Sequence, residues 1–372
     1  MTHLQQSKFA NLTQLLRNQR SSEDRQRIAK AIALLRSKGL LSRPFVEAAS
    51  LPAPTAPPLF YLLVALGRGD LSVARLYEGH VNAMQLLARL GTRDQLDRAM
   101  QAASKDGMLG VWGADDPAQP ARLLQRANSW RLSGRKTFAS GADLIACPLI
   151  AAKTLDMKTQ LLLLDRDSLG GRFDAGWWAP MGMQATNSYA LNLDGLEGEA
   201  AQLVGKPGMY EAQPFFGAGA IRFVAAQLGG TLALWDATRE HLVASDRYQN
   251  PHQAARLGQM LGELEAAYAL VRSGYARIAR SIAWSEASAG HPDDCLIADC
   301  ARVGLEAIAE RVTTLAIRCV GCAGLMDAHP LAAAARDLLV YLRQPGPDAA
   351  QTRVGIGACD GRYEALFDAS EL

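Results

Sequence analysis

The 372-residue sequence predicts a mostly helical α+β fold, in which a helical domain, an antiparallel β domain and a helical bundle follow one another. Apolar residues recur every three or four positions in the first hundred residues, which is typical of amphipathic helices. From about residue 106, short apolar or alternating runs separated by turn residues indicate strands, and beyond about residue 213 the helical spacing returns. The predicted domains are therefore 1–105, 106–203 and 204–372.

Start and stop signals support the N-terminal helices. Gly39 ends the first well-patterned helix, and the prolines within 51–58 break the chain because they lack an amide donor and fix a backbone angle. The next helix has Asp70 or Ser72 as its predicted N-cap, and Thr92 is the predicted cap of the helix after it. These signals place the helical domain before the first strands.

Four long, Ala- and Leu-rich stretches joined by short connections fill the C-terminal part of the chain. Such a pattern favours an antiparallel bundle of four helices. Small residues, such as the run 332–335, would let neighbouring helices approach closely. No internal repeat of fixed period is present, so a solenoid is not expected.

The composition excludes several classes of function. The formal net charge is +2 with both signs interspersed, which gives no field to gather nucleic acid or an anionic membrane. The N-terminus is polar without a signal-peptide core, and the apolar runs are far shorter than the ~20 residues that cross a bilayer. Six irregularly spaced cysteines argue against a disulfide framework. We therefore expect a cytoplasmic protein with free thiols.

Several stretches between about residues 60 and 345 resemble the acyl-CoA dehydrogenase superfamily, in the same order and spacing. They are "ARLGTRDQLDRAM" (88–100), "WRLSGRKTFASGAD" (130–143), "MGMQATNSYALNLDGL" (181–196), "RFVAAQLGGTLAL" (222–234) and "GCAGLMDAHPLAAAARDLLVY" (321–341). The resemblance implies an N-terminal helical domain, a middle β-barrel-like domain and a C-terminal four-helix bundle. It also implies FAD as cofactor, a small-molecule substrate such as an acyl-CoA, and a homodimer or homotetramer in which a neighbouring subunit completes the flavin site.

The stretch "KTFAS" (136–140) contains two candidate flavin contacts. Strand alternation would put Lys136, Phe138 and Ser140 on one face. By resemblance, Phe138 replaces a tryptophan and Ser140 a threonine. The ring would then pack against the isoalloxazine, and the hydroxyl would donate to its N5 edge. From the motif alone, the alternative is a strand with one face in the protein core.

The stretch "GVWGADDP" (110–117) stands where the superfamily has a strand end followed by Thr-Glu-Pro, a pattern that this chain does not keep. The resemblance implies that the backbone amides of Val111 and Trp112 meet the pyrimidine edge of the flavin. The changed loop alters the wall of the pocket that would take a CoA ester.

Two further places are candidate contacts for the FAD diphosphate. The resemblance makes Arg247 the arginine that binds the pyrophosphate of a neighbouring subunit, since the donors of a guanidinium match two phosphate oxygens. The alternative is a solvated arginine at a helix end. "RCVGCAGL" (318–325) resembles the glycine-rich turn near the diphosphate. Gly321 is kept there, whereas Cys322 replaces a glycine, and we expect its Cβ to weaken FAD binding.

No metal site is expected. Cys319 and Cys322 form a lone C-x-x-C, and nothing nearby completes a tetrahedral set. His80 lies close to Glu78 in the sequence, which is compatible with a carboxylate–histidine pair or with the polar face of an ordinary helix.

Dehydrogenation of an acyl thioester needs a carboxylate against the α-carbon while the flavin accepts a hydride. The superfamily supplies this base from two places, which correspond here to Pro345 and to Ile221. The next residue, Arg222, is the bundle-opening arginine and the candidate substrate contact. Asp348 is the remaining candidate catalytic base. The alternative is that a helix begins here, with Pro347 or Asp348 at its cap.

The sequence thus favours an FAD-dependent oxidoreductase that acts on a CH–CH group, with an acyl thioester as substrate. Two alternatives stay open. One is a flavin-dependent monooxygenase of the same fold, resembling the dibenzothiophene monooxygenase branch, which needs no α-proton base. The other is a non-catalytic binding subunit, for which the glycine-to-cysteine change at Cys322 is the main support.

Overall fold

The computed structural model describes residues 3–19, 24–51, 56–282, 293–344 and 346–362, which form two compact units. The first unit takes its described residues from Met1–Asn18, Ser50–Leu71 and Gln213–Leu372, and the second from Gln19–Ala49 and Ser72–Ala212. The N-terminal helices therefore contribute to both units. A division into three domains in chain order stays a prediction.

Helices begin and end where several of the sequence signals lie. In the described residues they are α1 (His3–Asn18), α2 (Asp24–Ser37), α3 (Arg43–Ala49), α4 (Pro58–Gly69), α5 (Leu71–Leu90), α6 (Arg93–Asp106), α7 (Phe215–Ala218), α8 (Ile221–Ala244), α9 (Pro251–Ser281), α10 (Asp294–Val320), α11 (Pro330–Leu342) and α12 (Pro347–Cys359). Thr92 caps α6 as predicted, because its hydroxyl accepts from the Gln95 amide and Gln95 Oε1 accepts from the Thr92 amide. Gly39, with φ of 70°, follows the end of α2.

Helix α8 lies at the centre of the first unit, where it packs against α4, α9, α10 and α11. Two glycines let α4 and α8 touch along their backbones. A Cβ on Gly67 would lie 2.1 Å from the Ala226 carbonyl oxygen, and one on Gly229 would lie 2.2 Å from the Val64 carbonyl oxygen. Any side chain at either position would therefore push the two helices apart.

The segment Phe215–Ala244 is the one helical stretch in the described part of the chain that is long and apolar enough to cross a membrane. Its most apolar window is 67% buried inside the structure. The segment includes α8, which is apolar because it is packed among the other helices of the first unit.

The second unit contains two sheets. The strands of the described residues are β1 (Met108–Trp112), β2 (Arg122–Gln125), β3 (Ser129–Ser133), β4 (Arg135–Ala139), β5 (Ile145–Lys153), β6 (Thr159–Leu163), β7 (Phe173–Asp174), β8 (Tyr189–Asn192), β9 (Glu197–Glu199) and β10 (Leu203–Val204). Seven strands have the order β10-β6-β5-β2-β3-β9 with β1 beside β5, and the other three have the order β4-β8-β7.

The mostly helical α+β prediction is confirmed, with two differences in the sheets. β5 runs parallel to β1 and to β2, whereas the other pairs are antiparallel as predicted. The crossover from β1 to β5 contains three strands and is long enough to bring the chain back in the same direction. Both sheets have free edges, so the middle part is two open sheets and not a closed barrel.

Candidate functional site

The predicted site residues of the second unit surround the end of β4. Phe138 has φ of 53°, and the pairing of β4 with β8 shifts between Lys136 and Ala139. The prediction that Lys136, Phe138 and Ser140 share one face is wrong, because this bulge interrupts the alternation. Lys136 is fully buried and Ser140 is buried, whereas 43% of Phe138 is exposed.

The buried ammonium of Lys136 fixes the loop that follows β1. Its Nζ donates to the carbonyl oxygens of Gly113 and Ala151 at 2.7 and 2.8 Å, and to Asp115 Oδ1 at 2.6 Å. These three acceptors use all three of its hydrogens. Burial lowers the pKa of Lys136, and the bond to Asp115 acts in the opposite direction. Lys136 therefore has a structural role, and the ring of Phe138 is the group that β4 presents outward.

A chain of three hydroxyls leads to Ser140. The Ser188 hydroxyl donates to Ser140 Oγ at 2.8 Å and accepts from Thr186 Oγ1 at 2.7 Å. Thr186 Oγ1 also lies 2.8 Å from the Met183 carbonyl oxygen, which already accepts from the Thr186 amide at 3.1 Å, so the Thr186 hydrogen is available to Ser188. Ser140 thus accepts a hydrogen bond and keeps its own hydrogen. In the described residues that hydrogen meets only the Phe138 carbonyl oxygen, at 3.5 Å, which is the outer limit for such a bond. The Ser140 hydroxyl can therefore donate to a ligand.

Neither Ser188 nor Thr186 was predicted as a site residue. Both lie in the "MGMQATNSYALNLDGL" stretch, which carried the resemblance only as a pattern. A hydroxyl residue in a turn has many uses, so the sequence offered no signal that these two bond to Ser140.

Strand β1 presents one free edge near these groups. β1 pairs with β5 alone in the described residues, and on its other edge the Leu109 amide donates to His80 Nδ1 at 3.0 Å. The backbone amide of Val111, two residues further along, faces the same edge as the Leu109 amide, and Val111 is half-buried. The backbone amide of Trp112 faces β5. The buried indole of Trp112 donates to the Ser140 carbonyl oxygen at 3.0 Å. The Val111 amide is thus better placed for a ligand than the Trp112 amide.

His80 has a structural role in the same region. It is fully buried, its Nδ1 accepts from Leu109, and its Nε2 lies 3.0 Å from the Leu41 carbonyl oxygen. This pattern requires the neutral ring with the hydrogen on Nε2. Burial lowers the pKa of His80 to about 4. Glu78 pairs with Arg75 at 3.0 Å, so the structure favours the ordinary-helix interpretation over a catalytic pair.

In the first unit, the predicted diphosphate contacts lie near the end of α10. Gly321 has φ of 78° and ψ of −157°, a combination that in practice only glycine adopts, and open space surrounds its missing Cβ. Cys322 follows in a short 3₁₀ turn and is exposed. Burial raises the pKa of Cys319, and the charges of Arg256 and Arg247 act in the opposite direction. The exposed Arg247 therefore acts electrostatically on the same end of α10.

The two cysteines of the C-x-x-C lie in different surroundings. Cys319 is buried and Cys322 is exposed, and the described residues contain no group of three His, Cys, Asp or Glu side chains that could hold a metal ion.

The predicted base positions differ in their surroundings. Ile221 is buried at the start of α8, directly before Arg222, and Pro345 lies outside the described residues. Asp348 is exposed in the first turn of α12. The N-cap residue of this helix is Gly346, and it precedes the Pro347 and Asp348 that were predicted for the cap.

A buried guanidinium, which sequence reasoning missed, contacts one residue near the start of α8 and one residue shortly before α12. Arg302 of α10 donates to the Gln344 carbonyl oxygen at 2.8 Å, and its guanidinium carbon lies 5.3 Å from the centre of the Phe223 ring. Gln344 precedes Pro345, and Phe223 is two residues from Ile221. Burial lowers the pKa of Arg302, and carboxylates on α10 act in the opposite direction. These carboxylates also pair with other arginines, Glu306 with Arg343 and Asp299 with Arg353.

The donors and surfaces in each unit fit a flavin. In the second unit, the Ser140 hydroxyl, the exposed Phe138 ring and the Val111 edge suit a planar ring system with polar edges. In the first unit, the open backbone at Gly321 and the guanidinium of Arg247 suit a phosphate or diphosphate.

No protein-family model and no curated protein matches the sequence. Solved structures share its fold. TdsC from Paenibacillus sp. A11-2 is a dibenzothiophene monooxygenase that was solved with FMN. It is 17% identical to this chain, the match covers 96% of this chain and 98% of TdsC, and the TM-score is 0.78. KijD3, solved with FMN and dTDP-3-amino-2,3,6-trideoxy-4-keto-3-methyl-D-glucose, is 19% identical over 96% and 93% of the two chains, with a TM-score of 0.76. Butyryl-CoA dehydrogenase from Megasphaera elsdenii is 15% identical over 96% and 99%, with a TM-score of 0.73. These likenesses confirm the predicted fold.

Proposed function

From the acyl-CoA dehydrogenase-like fold of this chain, we infer that it is a flavin-dependent oxidoreductase. The observation that supports this most directly is the hydroxyl chain that ends at Ser140. Because Ser188 donates to Ser140, the hydrogen of Ser140 is left for an acceptor outside the protein. An electron-poor nitrogen at the edge of an isoalloxazine is such an acceptor.

Each candidate residue has a defined task toward the flavin. The Ser140 hydroxyl would donate to its N5 edge, which raises the electron affinity of the ring. Phe138 would pack against the ring face, and the Val111 amide would donate to the pyrimidine edge. The flavin, when bound, would supply hydride acceptance or, in its reduced form, reaction with oxygen.

We propose FAD as the flavin. Arg247 and the Gly321 turn act at one end of α10, and a guanidinium with an open backbone suits a diphosphate, which FAD has and FMN lacks. FMN stays the alternative, since TdsC and KijD3 were solved with it. Cys322, in the same turn, would narrow the approach of the diphosphate.

The substrate class depends on the base. Dehydrogenation of an acyl thioester would use Asp348 as base and Arg222 as a substrate contact. Oxygenation of a small molecule on reduced flavin is the second candidate, because it needs no α-proton base. The buried, apolar Ile221 at one predicted base position supports this second candidate.

The purified protein tests the proposal. We expect a flavin absorbance spectrum, and acid release followed by chromatography distinguishes FAD from FMN. Anaerobic loss of the flavin colour on adding an acyl-CoA panel would assign dehydrogenation. Oxygen uptake that depends on an added flavin reductase would assign oxygenation. A protein that neither carries flavin nor binds added FAD or FMN would contradict the proposal and leave the non-catalytic alternative.

We further propose a cytoplasmic homo-oligomer, a dimer or a tetramer, that acts on a small molecule. In such an assembly, Arg247 and Gly321 would contact the flavin of a neighbouring subunit. Sedimentation of the flavin-bound protein checks this, because a monomer that keeps full flavin affinity would contradict it.

A further inference from the structure

Two segments of the second unit meet around Ser140. One is the turn 140–143 that follows β4, and the other is the segment 186–188 that precedes β8. Hydrogen bonds join them along their length: the Ser188 hydroxyl to Ser140 Oγ at 2.8 Å, the Gly141 amide to the Thr186 carbonyl oxygen at 2.7 Å, the Ala142 amide to the Asn187 carbonyl oxygen at 3.2 Å, and the Asn187 side-chain amide to Asp143 Oδ2 at 2.8 Å.

The pair of Asp143 and Asn187, the turn clamp, closes this contact three residues from Ser140. Asn187 has φ of 43° and ψ of 54°, a left-handed conformation that asparagine tolerates better than most residues with a Cβ. Arg25 Nε lies 3.8 Å from the same carboxylate oxygen, but its side chain is mostly exposed. The side-chain amide of Asn187 is therefore the closer and better shielded partner of Asp143.

The carboxylate of Asp143 is not explained by stability alone. Its side chain is only 12% exposed, and Oδ1 is buried with no hydrogen-bond partner among the residues that the structure describes. A buried polar atom without a partner keeps the desolvation cost that a hydrogen bond would offset. A neutral side chain would hold a turn at a lower cost, so a further role for this acid is sought in what the turn carries, which is Ser140.

We propose that Asp143 and Asn187 are positioning residues, which hold the Ser140 hydroxyl where it donates to its ligand. Their pair keeps the turn 140–143 against Ser188, whose hydroxyl donates to the Ser140 oxygen. When the pair opens, the turn shifts and the Ser140 hydrogen loses its fixed direction. A misplacement of about 1 Å can lower a rate by about 100-fold. That the ligand is a flavin rests on the proposed function, whereas the clamp does not.

Reversal of the pair tests this, because aspartate and asparagine have nearly the same shape. Asn187→Asp removes the donor and places two carboxylates face to face. The double variant that combines it with Asp143→Asn restores one donor and one acceptor in the opposite sense. Both residue types tolerate the left-handed backbone at position 187. Asn128→Asp is the matched control, because it makes the same change of charge at an exposed position of the second unit.

The midpoint potential of the bound flavin is the readout of positioning, since a purely structural pair would not change it. It is measured against a reference redox dye in the full-length protein with FAD or FMN bound. We expect Asn187→Asp to shift this equilibrium about tenfold toward the oxidised flavin, which is about 30 mV for a two-electron couple. The double variant should return to within about twofold of the parent, and Asn128→Asp should equal the parent.

Hydrogen exchange of the Gly141 and Ala142 amides tests the clamp without flavin. Mass spectrometry of peptides that cover 140–143 should show exchange about tenfold faster in Asn187→Asp, with recovery in the double variant. Asn187→Gly covers the case in which Asn187→Asp does not fold. Glycine adopts the left-handed backbone freely, so this variant removes only the carboxamide. We expect it to combine a normal thermal midpoint with the faster exchange and the lower potential.

The outcomes separate this proposal from the proposed function. A parent protein that binds neither FAD nor FMN would end the flavin function, and the exchange measurement would still decide on the clamp. With flavin bound normally, a parent-like potential in Asn187→Asp and Asn187→Gly would overturn the positioning role, even if exchange responds. A double variant that stays as low in potential as Asn187→Asp would overturn it as well.

Discussion

Ser140 and Phe138 in the second unit contrast with Ile221 and Asp348 in the first. The former pair keeps the residue types that contact a flavin in the superfamily, and a hydroxyl chain and a backbone bulge support them. In the latter pair, Ile221 is a buried alkyl group at one predicted base position, and Asp348 is an exposed acid at a helix start, three residues past the other. Under the proposed function, this contrast means that features of a cofactor site persist in the fold while the residues that define one reaction are exchanged.

The two regions also differ in how they use buried titratable side chains. In the second unit, Lys136 and His80 are fully buried, and each has all its polar contacts within its own unit. In the first unit, the buried Arg302 lies beside the carboxylates of Asp299 and Glu306 and donates to the Gln344 carbonyl oxygen. Substitutions of Lys136 or His80 should therefore affect the stability of the protein.

The largest expected effect is on Lys136. Lys136→Met removes the cation that holds Asp115 and two carbonyl oxygens, and leaves these acceptors without their donor. Breaking such a buried pair costs about 3 to 5 kcal/mol, so we expect a marked fall in the urea midpoint of unfolding. Lys158→Met is the matched control, because the pair of Lys158 with Asp156 is exposed and should hardly affect the midpoint.

His80 should make the stability of the protein depend on pH. Its pKa is about 4 in the folded protein and about 6.5 in an unfolded chain, so the unfolded state binds more protons between these values. Stability is complete above pH 6.5 and falls as pH is lowered, by about 3 kcal/mol at pH 4. Urea unfolding at several pH values measures this loss.

Two substitutions identify His80 as the group responsible. His80→Gln should give a protein that is less stable at pH 7.5 but has a flatter pH profile. His252→Gln changes an exposed histidine and should leave the profile as it is. If His80→Gln keeps the full pH dependence, another group is the cause.

A smaller effect, on chemistry alone, is expected at Ser140. Ser140→Ala removes the donor assigned to the flavin edge, and the loss of one preorganised donor lowers a rate by about 100-fold. We expect slower flavin reduction together with a lower flavin midpoint potential. Ser188→Ala should lower the rate less, because Ser188 only orients Ser140, and Ser168→Ala at an exposed turn should change nothing. An unchanged potential in Ser140→Ala would contradict the assignment.

Periodicity and capping signals were sufficient for the order of elements and for the Thr92 cap. These depend on local interactions within a few residues, which a sequence shows directly. The left-handed backbone at Phe138 was not predictable, because no glycine or asparagine marks it and the neighbouring residues alternate regularly. This one residue overturned the prediction that Lys136 and Phe138 share a face.

Site residues were predictable only where a motif names them. Ser140 and Val111 follow from the resemblance, whereas Ser188 and Arg302 are identified only by contacts between segments that are distant in the sequence. Arg302, for example, contacts Gln344 across 42 positions of the sequence. A sequence read alone contains no distance between such segments, so it could identify base positions without a carboxylate but not the contact between Arg302 and Gln344.

The smallest effect is expected at Asp348. The carboxylate lies exposed in the first turn of α12, where an acid interacts favourably with the helix N-terminus by about 0.3 to 1 kcal/mol. Asp348→Asn should therefore cost at most this amount in stability and change acyl-CoA-dependent flavin reduction less than twofold. Asp360→Asn, at the other end of α12, is the matched control. A fall of 100-fold or more with normal flavin content would instead make Asp348 the base, and the contrast between the two units would then disappear.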